Sequence, residues 1–179
     1  MPITFLHCSF AYLVNKWKPQ LSLPAFLVGT MVPDLEVLII YLLNNGTIDR
    51  LVLHSLLGAA TIGTTICVLL VLFIYSPVVS FIFRLDPQEV KEKCRFSCTL
   101  VVASFFGVLS HVLIDATHHI YNPLLYPFVS ESIDLFVITG SVPFDSAITT
   151  LVVSLILLVF IIDFAKKGIK DFWKRMLVG

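Results

Sequence analysis

Residues 55–83 read SLLGAATIGTTICVLLVLFIYSPVVSFIF, and no residue in this stretch is charged. A helix over 55–76 is about 33 Å long at about 1.5 Å per residue, enough to cross a hydrocarbon core of about 30 Å. Gly58 and Gly63 allow close packing against a neighbouring helix. Pro77 lacks the N–H that a helical hydrogen bond needs, so we expect the helix to bend or end there, with 78–83 near the interface.

Further apolar blocks flank this stretch. The longer ones are 23–43, which Pro33-Asp34 interrupts, then 97–119 and 146–164. The first block, 3–14, is too short to cross a membrane and predicts a half-spanning helix. The chain is 58% hydrophobic and 13% charged, whereas soluble domains are about 45–50% apolar and about 25% charged. We predict an all-α integral membrane bundle of about four to five helices in a single transmembrane domain, 1–179.

The basic residues indicate the orientation of the helices. They cluster in three segments, which are 15–22, 84–96 and 165–179. The other two connections, 44–54 and 120–145, contain one basic residue between them, Arg50. By the positive-inside rule the three basic segments face the cytoplasm, and the N-terminus and the other connections face outward. We therefore predict a multi-pass protein of the cell membrane whose C-terminus is cytoplasmic.

The net charge and the distribution of basic residues indicate which binding partners to expect. The formal net charge is zero, and no Lys/Arg patch alternates with aromatic residues, so no nucleic-acid partner is expected. Membrane lipids are the expected partners, and the oligomeric state is left open. Cys94 and Cys98 are four residues apart, not the spacing of a zinc knuckle, and we interpret them as packing residues.

Ionisable residues lie inside the apolar blocks, where each costs about 2.5 kcal/mol or more and suggests a function. Residues 110–119 read SHVLIDATHH. On a helix, His111, Asp115 and His118 stand at i, i+4 and i+7 and share one face. His119 lies on nearly the same face and is an alternate for His118. Two imidazoles and a carboxylate suit zinc or another borderline cation.

Three more such residues lie in other blocks. Asp34 interrupts the second block, His54 precedes the third, and His7 lies in the first. In the predicted orientation all of them fall toward the outer side, where 111–119 also ends. We predict a divalent-metal site there. Its candidate ligands are His7, Asp34, His54, His111, Asp115, His118 and His119.

Other interpretations of these residues stay open. His54 before Ser55 can belong to a helix cap, His7 can be an interfacial histidine, and Pro33-Asp34 can be a kink. The stripe at 111–118 can be a proton relay or a packing network. Further carboxylates lie near the predicted outer side, and for each we prefer a solvated role to one as ligand or base. They are Glu36, Glu131, Asp134 and Asp145.

The order of these motifs resembles a family of small bacterial and archaeal membrane proteins, the YdjM-like membrane-bound metal-dependent hydrolases. The motifs are His7, Pro33-Asp34, His54-Ser55 and Ser110-His111-x3-Asp115-x-Thr117-His118, with the opening MPITFLH and PLLYPF at 123–128. The resemblance covers residue 1 to about 128. It implies a metal-dependent hydrolase and specifies no substrate.

A more distant resemblance is to the zinc-dependent phospholipase C and single-strand nuclease superfamily, whose ligands follow the order His, Asp, His, His-x3-Asp, His. That order is matched here by His7, Asp34, His54, His111, Asp115 and His118 or His119. The resemblance implies a cluster of two or three zinc ions with Asp115 as a bridging ligand, and the sequence itself leaves the number of ions open between one and three. That superfamily has a further His-x3-Glu, and no histidine follows His119 here. One metal position is therefore either missing or completed by a carboxylate such as Glu131. That superfamily also uses its N-terminal amine as a ligand, so the amine of Pro2 after methionine removal is a further candidate.

The chemistry would follow from the ion, since bound zinc lowers the pKa of water to about 7 and supplies a nucleophile. Asp34 and Asp115 are the candidate catalytic residues, with Asp34 as ligand or general base. Ser55 or Thr117 would orient the imidazoles. A site facing the outer leaflet would act on a phospholipid, a prenyl-phosphate carrier or another lipid-linked ester. A structural metal site and a metal or proton transporter are the alternatives.

Overall fold

A computed structural model describes residues 5–44, 50–117, 119, 121–133, 139–168 and 171–179. These residues are all-helical, with no strand among them, which confirms the predicted fold class. We number the helices in chain order. They are α1 (Phe5–Trp17), α2 (Leu23–Gly29), α3 (Val32–Asn44), α4 (Leu56–Phe83), α5 (Pro87–Lys93), α6 (Cys98–Asp115), α7 (Val142–Lys167) and α8 (Phe172–Leu177).

Four helical segments in the described part of the chain are long and apolar enough to cross a membrane. They are Leu23–Ile40, which joins α2 to most of α3, then α4, α6 and α7. Large apolar side chains point away from the protein on several of them, and Leu43, Phe73 and Phe81 are each at least 70% exposed. Water would disfavour such apolar surfaces, whereas lipid tails solvate them. The fold is therefore that of a helical membrane protein.

Helix α4 departs from the sequence prediction at Pro77, where we expected a bend or an end. The helix continues through Pro77 to Phe83 and ends at Arg84, which has a positive φ of 53°. A π-helical turn, Val71–Tyr75, precedes the proline. Local π adjustments accommodate the N–H that proline lacks, and this explains why prolines occur inside membrane helices.

Two glycines allow a close contact between α2 and α6. A Cβ atom built on Gly107 would lie 2.6 Å from the carbonyl oxygen of Phe26 and 3.0 Å from the Cα of Gly29. Real Cβ atoms do not approach backbone this closely, so glycine is required for the contact. The approach places the end of α2, at Thr30, beside the middle of α6.

The helix is interrupted between α2 and α3, at Thr30 and Met31. Pro33 has no N–H to bond the carbonyl of Gly29, four residues earlier, and in a continuous helix its ring would clash with that carbonyl, which explains why one helix does not run through 23–44. The break starts a new helix at Val32, and Asp34 lies in its first turn.

The most apolar part of helix α7 has no residue buried inside the protein. It contacts α1, where the Tyr12 hydroxyl donates a hydrogen bond to the Asp163 carboxylate and the Lys16 ammonium lies 3.3 Å from Asp163 Oδ1. These polar contacts hold α7 to the bundle near the predicted cytoplasmic side.

Candidate metal centre

Three acidic or imidazole side chains from three segments meet in one place. Asp34 comes from the first turn of α3, His54 from the segment just before α4, and His111 from α6. One ligand atom from each lies within 4.8 Å of the others. The structure thus brings together residues that are up to 77 positions apart in the sequence.

His54 is held by a buried carboxylate. Its Nδ1 lies 3.0 Å from Oε2 of Glu36, and a carboxylate only accepts, so Nδ1 carries the proton. The lone pair is then on Nε2, which is buried and has no hydrogen-bond partner among the described residues. An imidazole with one nitrogen bound to a carboxylate and the other directed into a cluster of ligands is the usual arrangement of a metal-binding histidine.

Glu36 also shapes the backbone that carries His54. Its two oxygens accept hydrogen bonds from the N–H groups of Leu51, Val52 and Leu53, at distances from 2.6 to 3.1 Å. Because Glu36 accepts from three N–H groups and one imidazole, it is ionised and holds 51–54 in one conformation. Our interpretation of Glu36 as a solvated carboxylate was wrong, since its side chain is 8% exposed.

His111 is oriented by the break between α2 and α3. Its Nδ1 lies 2.7 Å from the carbonyl oxygen of Thr30. A carbonyl only accepts, so Nδ1 donates and the Nε2 lone pair faces the cluster. Nε2 lies 3.5 Å from Oδ1 of Asp34 and 3.5 Å from Oδ2 of Asp115. The close contact of Gly29 with Gly107 brings Thr30 within reach of His111.

Asp115 lies at the centre of the cluster. Its Oδ2 is 3.7 Å from Nε2 of His54, 3.5 Å from Nε2 of His111 and 3.6 Å from Nε2 of His119. Ligand atoms bound to one tetrahedral zinc ion at about 2.0–2.1 Å lie about 3.4 Å apart. Asp34, His54 and His111 form the group whose ligand atoms all lie within 4.8 Å of one another, and Asp115 lies within 3.7 Å of both imidazoles, so this cluster could hold a metal ion.

Arg50 borders the cluster, in a role that its position in the sequence did not predict. Its side chain is 6% exposed, and its Nε lies 3.5 Å from Oδ2 of Asp115. Its Nη2 lies 3.2 Å from Nε2 of His119. A guanidinium only donates, so His119 Nε2 accepts this bond and its lone pair is directed to Arg50.

Helix α6 ends earlier than we predicted from the sequence. We expected a helix over 97–119, but α6 ends at Asp115, and the amide of Asn122 caps it by bonding the carbonyl oxygens of Ala116 and His119 at 3.4 and 2.9 Å. His118 lies outside the described residues, as do Pro2, Asp134 and the side chain of His7.

The residues expected to orient the imidazoles have other roles. Ser55 caps α4, accepting from the N–H of Gly58 at 2.9 Å, and Thr117 donates to the carbonyl oxygen of Ile114 at 2.7 Å. Glu36 and Thr30 orient the imidazoles instead.

Asp145, which we interpreted as solvated, is buried and accepts from the N–H of Thr139 at 3.2 Å. Glu131 is exposed, as expected.

The cluster opens on the side of Asp34. The side chain of Asp34 is 31% exposed, compared with 1% for His111 and 2% for His54. Met31 and Leu35, on either side of Asp34 in the chain, are both 42% exposed. Exposed apolar side chains therefore lie near the most exposed member of the cluster in the chain.

The fold and the cluster define a helical membrane protein with a buried His/Asp site. The chain belongs to the family described as a domain of unknown function, DUF4184, whose model matches residues 1–176. Neither the curated proteins nor the solved structures give a significant match.

Proposed function

We propose that the cluster of Asp34, His54 and His111 binds zinc and that the protein is a metal-dependent hydrolase embedded in the membrane. The observation that carries this proposal is His54, because its Nδ1 is bound to a buried carboxylate while its Nε2 is directed, without a hydrogen-bond partner among the described residues, at other ligand atoms. Burying an imidazole nitrogen in this state is unfavourable unless a ligand occupies the position.

Each residue of the cluster has its own role in the proposed reaction. His54 and His111 would hold the ion with Asp34, and Asp115 lies within 3.7 Å of both imidazoles as a further ligand or as a base. When bound, the ion would supply a water molecule with a lowered pKa and polarise the scissile ester. Asp34 is the most exposed member of the cluster, so an incoming substrate would meet it first.

The proposed substrate is a phosphoester or another lipid-linked ester at the outer leaflet. The exposed apolar side chains of Met31 and Leu35 beside Asp34 support a lipid substrate. The distribution of basic residues supports an outward-facing site, because α6 starts after the basic loop 84–96 and ends at the cluster.

The test combines metal analysis with turnover. We expect the purified protein to contain stoichiometric zinc and to hydrolyse a lipid phosphoester in detergent or nanodiscs. We expect His111→Ala to lose both properties, and Asp34→Asn to lower turnover by at least about a hundredfold.

Glu92→Gln is the matched control, since Glu92 is exposed and lies in α5, outside the candidate spans. A protein that folds but contains no zinc contradicts the proposal. Stoichiometric zinc without turnover on any lipid ester favours the structural metal site, and zinc flux into proteoliposomes favours the transporter.

A further inference from the structure

Arg50 is the cation of the cluster, and the described contacts place it beside Asp115 and His119. Nε lies 3.5 Å from Oδ2 of Asp115, and Nη2 lies 3.2 Å from Nε2 of His119. The guanidinium carries a positive charge, and these contacts hold that charge beside Asp115. Asp115 and His119 are two residues that the superfamily resemblance would assign to a cluster of several zinc ions.

The charges of the cluster limit how many ions it can hold. Asp34 and Asp115 contribute two carboxylates, Arg50 contributes one guanidinium, and the carboxylate of Glu36 lies behind His54, on its Nδ1 side. Both imidazoles that face the centre are neutral when they bind metal. One divalent cation therefore balances the described charges, and a second would leave two uncompensated positive charges in a buried site between membrane helices.

From this geometry and charge balance we infer that Arg50 takes the place of a second metal ion. The site holds one zinc ion, and the guanidinium provides the second positive charge that a substrate meets. This inference rests on the proposed function, because it presupposes the zinc ion held by His54, His111 and Asp34. It also narrows the substrate class to phosphoesters.

The chemistry of the guanidinium explains why a phosphoester is the expected substrate. A guanidinium presents five N–H donors in a plane, and this fork matches two oxygens of a phosphate group. A carboxyl ester has no anionic oxygens and gains little from such a charge. A two-metal site binds the oxygens of a phosphodiester with its second ion, and here Arg50 does so.

Zinc stoichiometry in the wild-type chain tests the first half of the inference without any substitution. We expect one zinc ion per chain after loading with excess zinc and desalting. Two zinc ions per chain overturn the inference and leave the proposed function intact. A chain without zinc overturns both.

Binding of inorganic phosphate to the zinc-loaded protein in nanodiscs, measured by calorimetry, tests the second half. We expect Arg50→Gln to weaken this binding by at least about tenfold, because a hydrogen-bonded charge pair is lost, while one zinc ion stays bound. Arg95→Gln is the control, since Arg95 is exposed in the loop before α6, and it should bind phosphate like the wild type.

Arg50→Lys covers the case in which Arg50→Gln does not fold, because it keeps the charge near Asp115. It should keep one zinc ion and still lose phosphate affinity, since the planar fork is gone. Unchanged phosphate affinity in a folded, zinc-loaded Arg50 variant overturns the inference, as does a wild type that binds no phosphate.

A further arm distinguishes a lipid phosphate from a soluble one. Nanodiscs that contain phosphatidic acid should compete with inorganic phosphate if the phosphate belongs to a lipid. If they do not compete, the phosphate belongs to a soluble molecule, and the role of Arg50 is supported in both cases.

Discussion

Substituting Glu36 by glutamine removes the group that orients His54. The glutamine side chain has nearly the same shape, but it replaces one acceptor oxygen by an NH₂ group. Glu36 accepts from three backbone N–H groups and from Nδ1 of His54. In the variant the NH₂ group would face one or more of these donors, so hydrogen bonds are lost and a buried donor faces another donor.

The magnitude follows from these contacts. Hydrogen bonds to a charged group contribute about 1.5–3 kcal/mol each, and leaving a buried donor unsatisfied costs about 1–3 kcal/mol. We expect Glu36→Gln to lower the free energy of unfolding by about 3 kcal/mol. Loss of a carboxylate that orients a metal-binding histidine lowers metal affinity about 10–100-fold, and we expect a decrease of that size for zinc.

The assay is a competition titration of the purified protein against a chromogenic zinc chelator, with a thermal melt of the same sample. Glu92→Gln makes the same chemical change at an exposed position of α5, so it should leave both zinc affinity and the melting temperature unchanged. If Glu36→Gln binds zinc as tightly as the wild type and melts at the same temperature, the reasoning from His54 is refuted.

Two further predictions concern the helix contact and the membrane orientation. Gly107→Ala should lower the melting temperature and weaken zinc binding, because its Cβ would lie 2.6 Å from the carbonyl oxygen of Phe26 and push α2, with Thr30, away from α6. Cys98, which is exposed, should react with a membrane-impermeant maleimide at neutral pH only from the cytoplasmic side, whereas Cys94 should stay unlabelled. Burial raises the pKa of the Cys94 thiol to about 11, so the thiol is protonated and unreactive until the pH approaches that value.

Each of these predictions has its own control. Val102→Ala truncates an exposed residue of α6 and should change the melting temperature little, which separates the glycine contact from a general sensitivity of the helix. The labelling is done in a Cys8→Ser background, so that Cys98 and the buried Cys67 and Cys94 are the thiols left. Labelling of Cys98 from the outer side reverses the predicted orientation.

The fold class could be predicted from the sequence because the apolar blocks are long and nearly free of charge. In lipid the backbone of such a block must form its own hydrogen bonds, as a helix does. The ends of the helices were less predictable. The π turn at Val71–Tyr75 that accommodates Pro77 has no sequence signature, and Asn122, which caps α6, lies seven residues beyond its end. Interactions of this kind are fixed by the fold and not by the local sequence.

The site was partly predictable for a related reason. Asp34, His54 and His111 are ionisable residues in or beside apolar blocks, and the predicted orientation of the helices places them toward one side of the membrane. Glu36 carried the same signal, since it lies in the same block as Asp34, but its role depends on the loop 51–54 folding back onto it. Arg50 belongs to that loop, so its contact with Asp115 is visible only in the folded chain.

X-ray absorption at the zinc edge tests the central claim most directly, because it reports the atoms bound to the ion in the purified, zinc-loaded protein. The claim predicts nitrogen and oxygen ligands at about 2.0–2.1 Å, with the multiple-scattering signature of two imidazoles. His111→Ala should lose one imidazole from that signature. A sulfur ligand at about 2.3 Å, or a spectrum without imidazole, would contradict the claim.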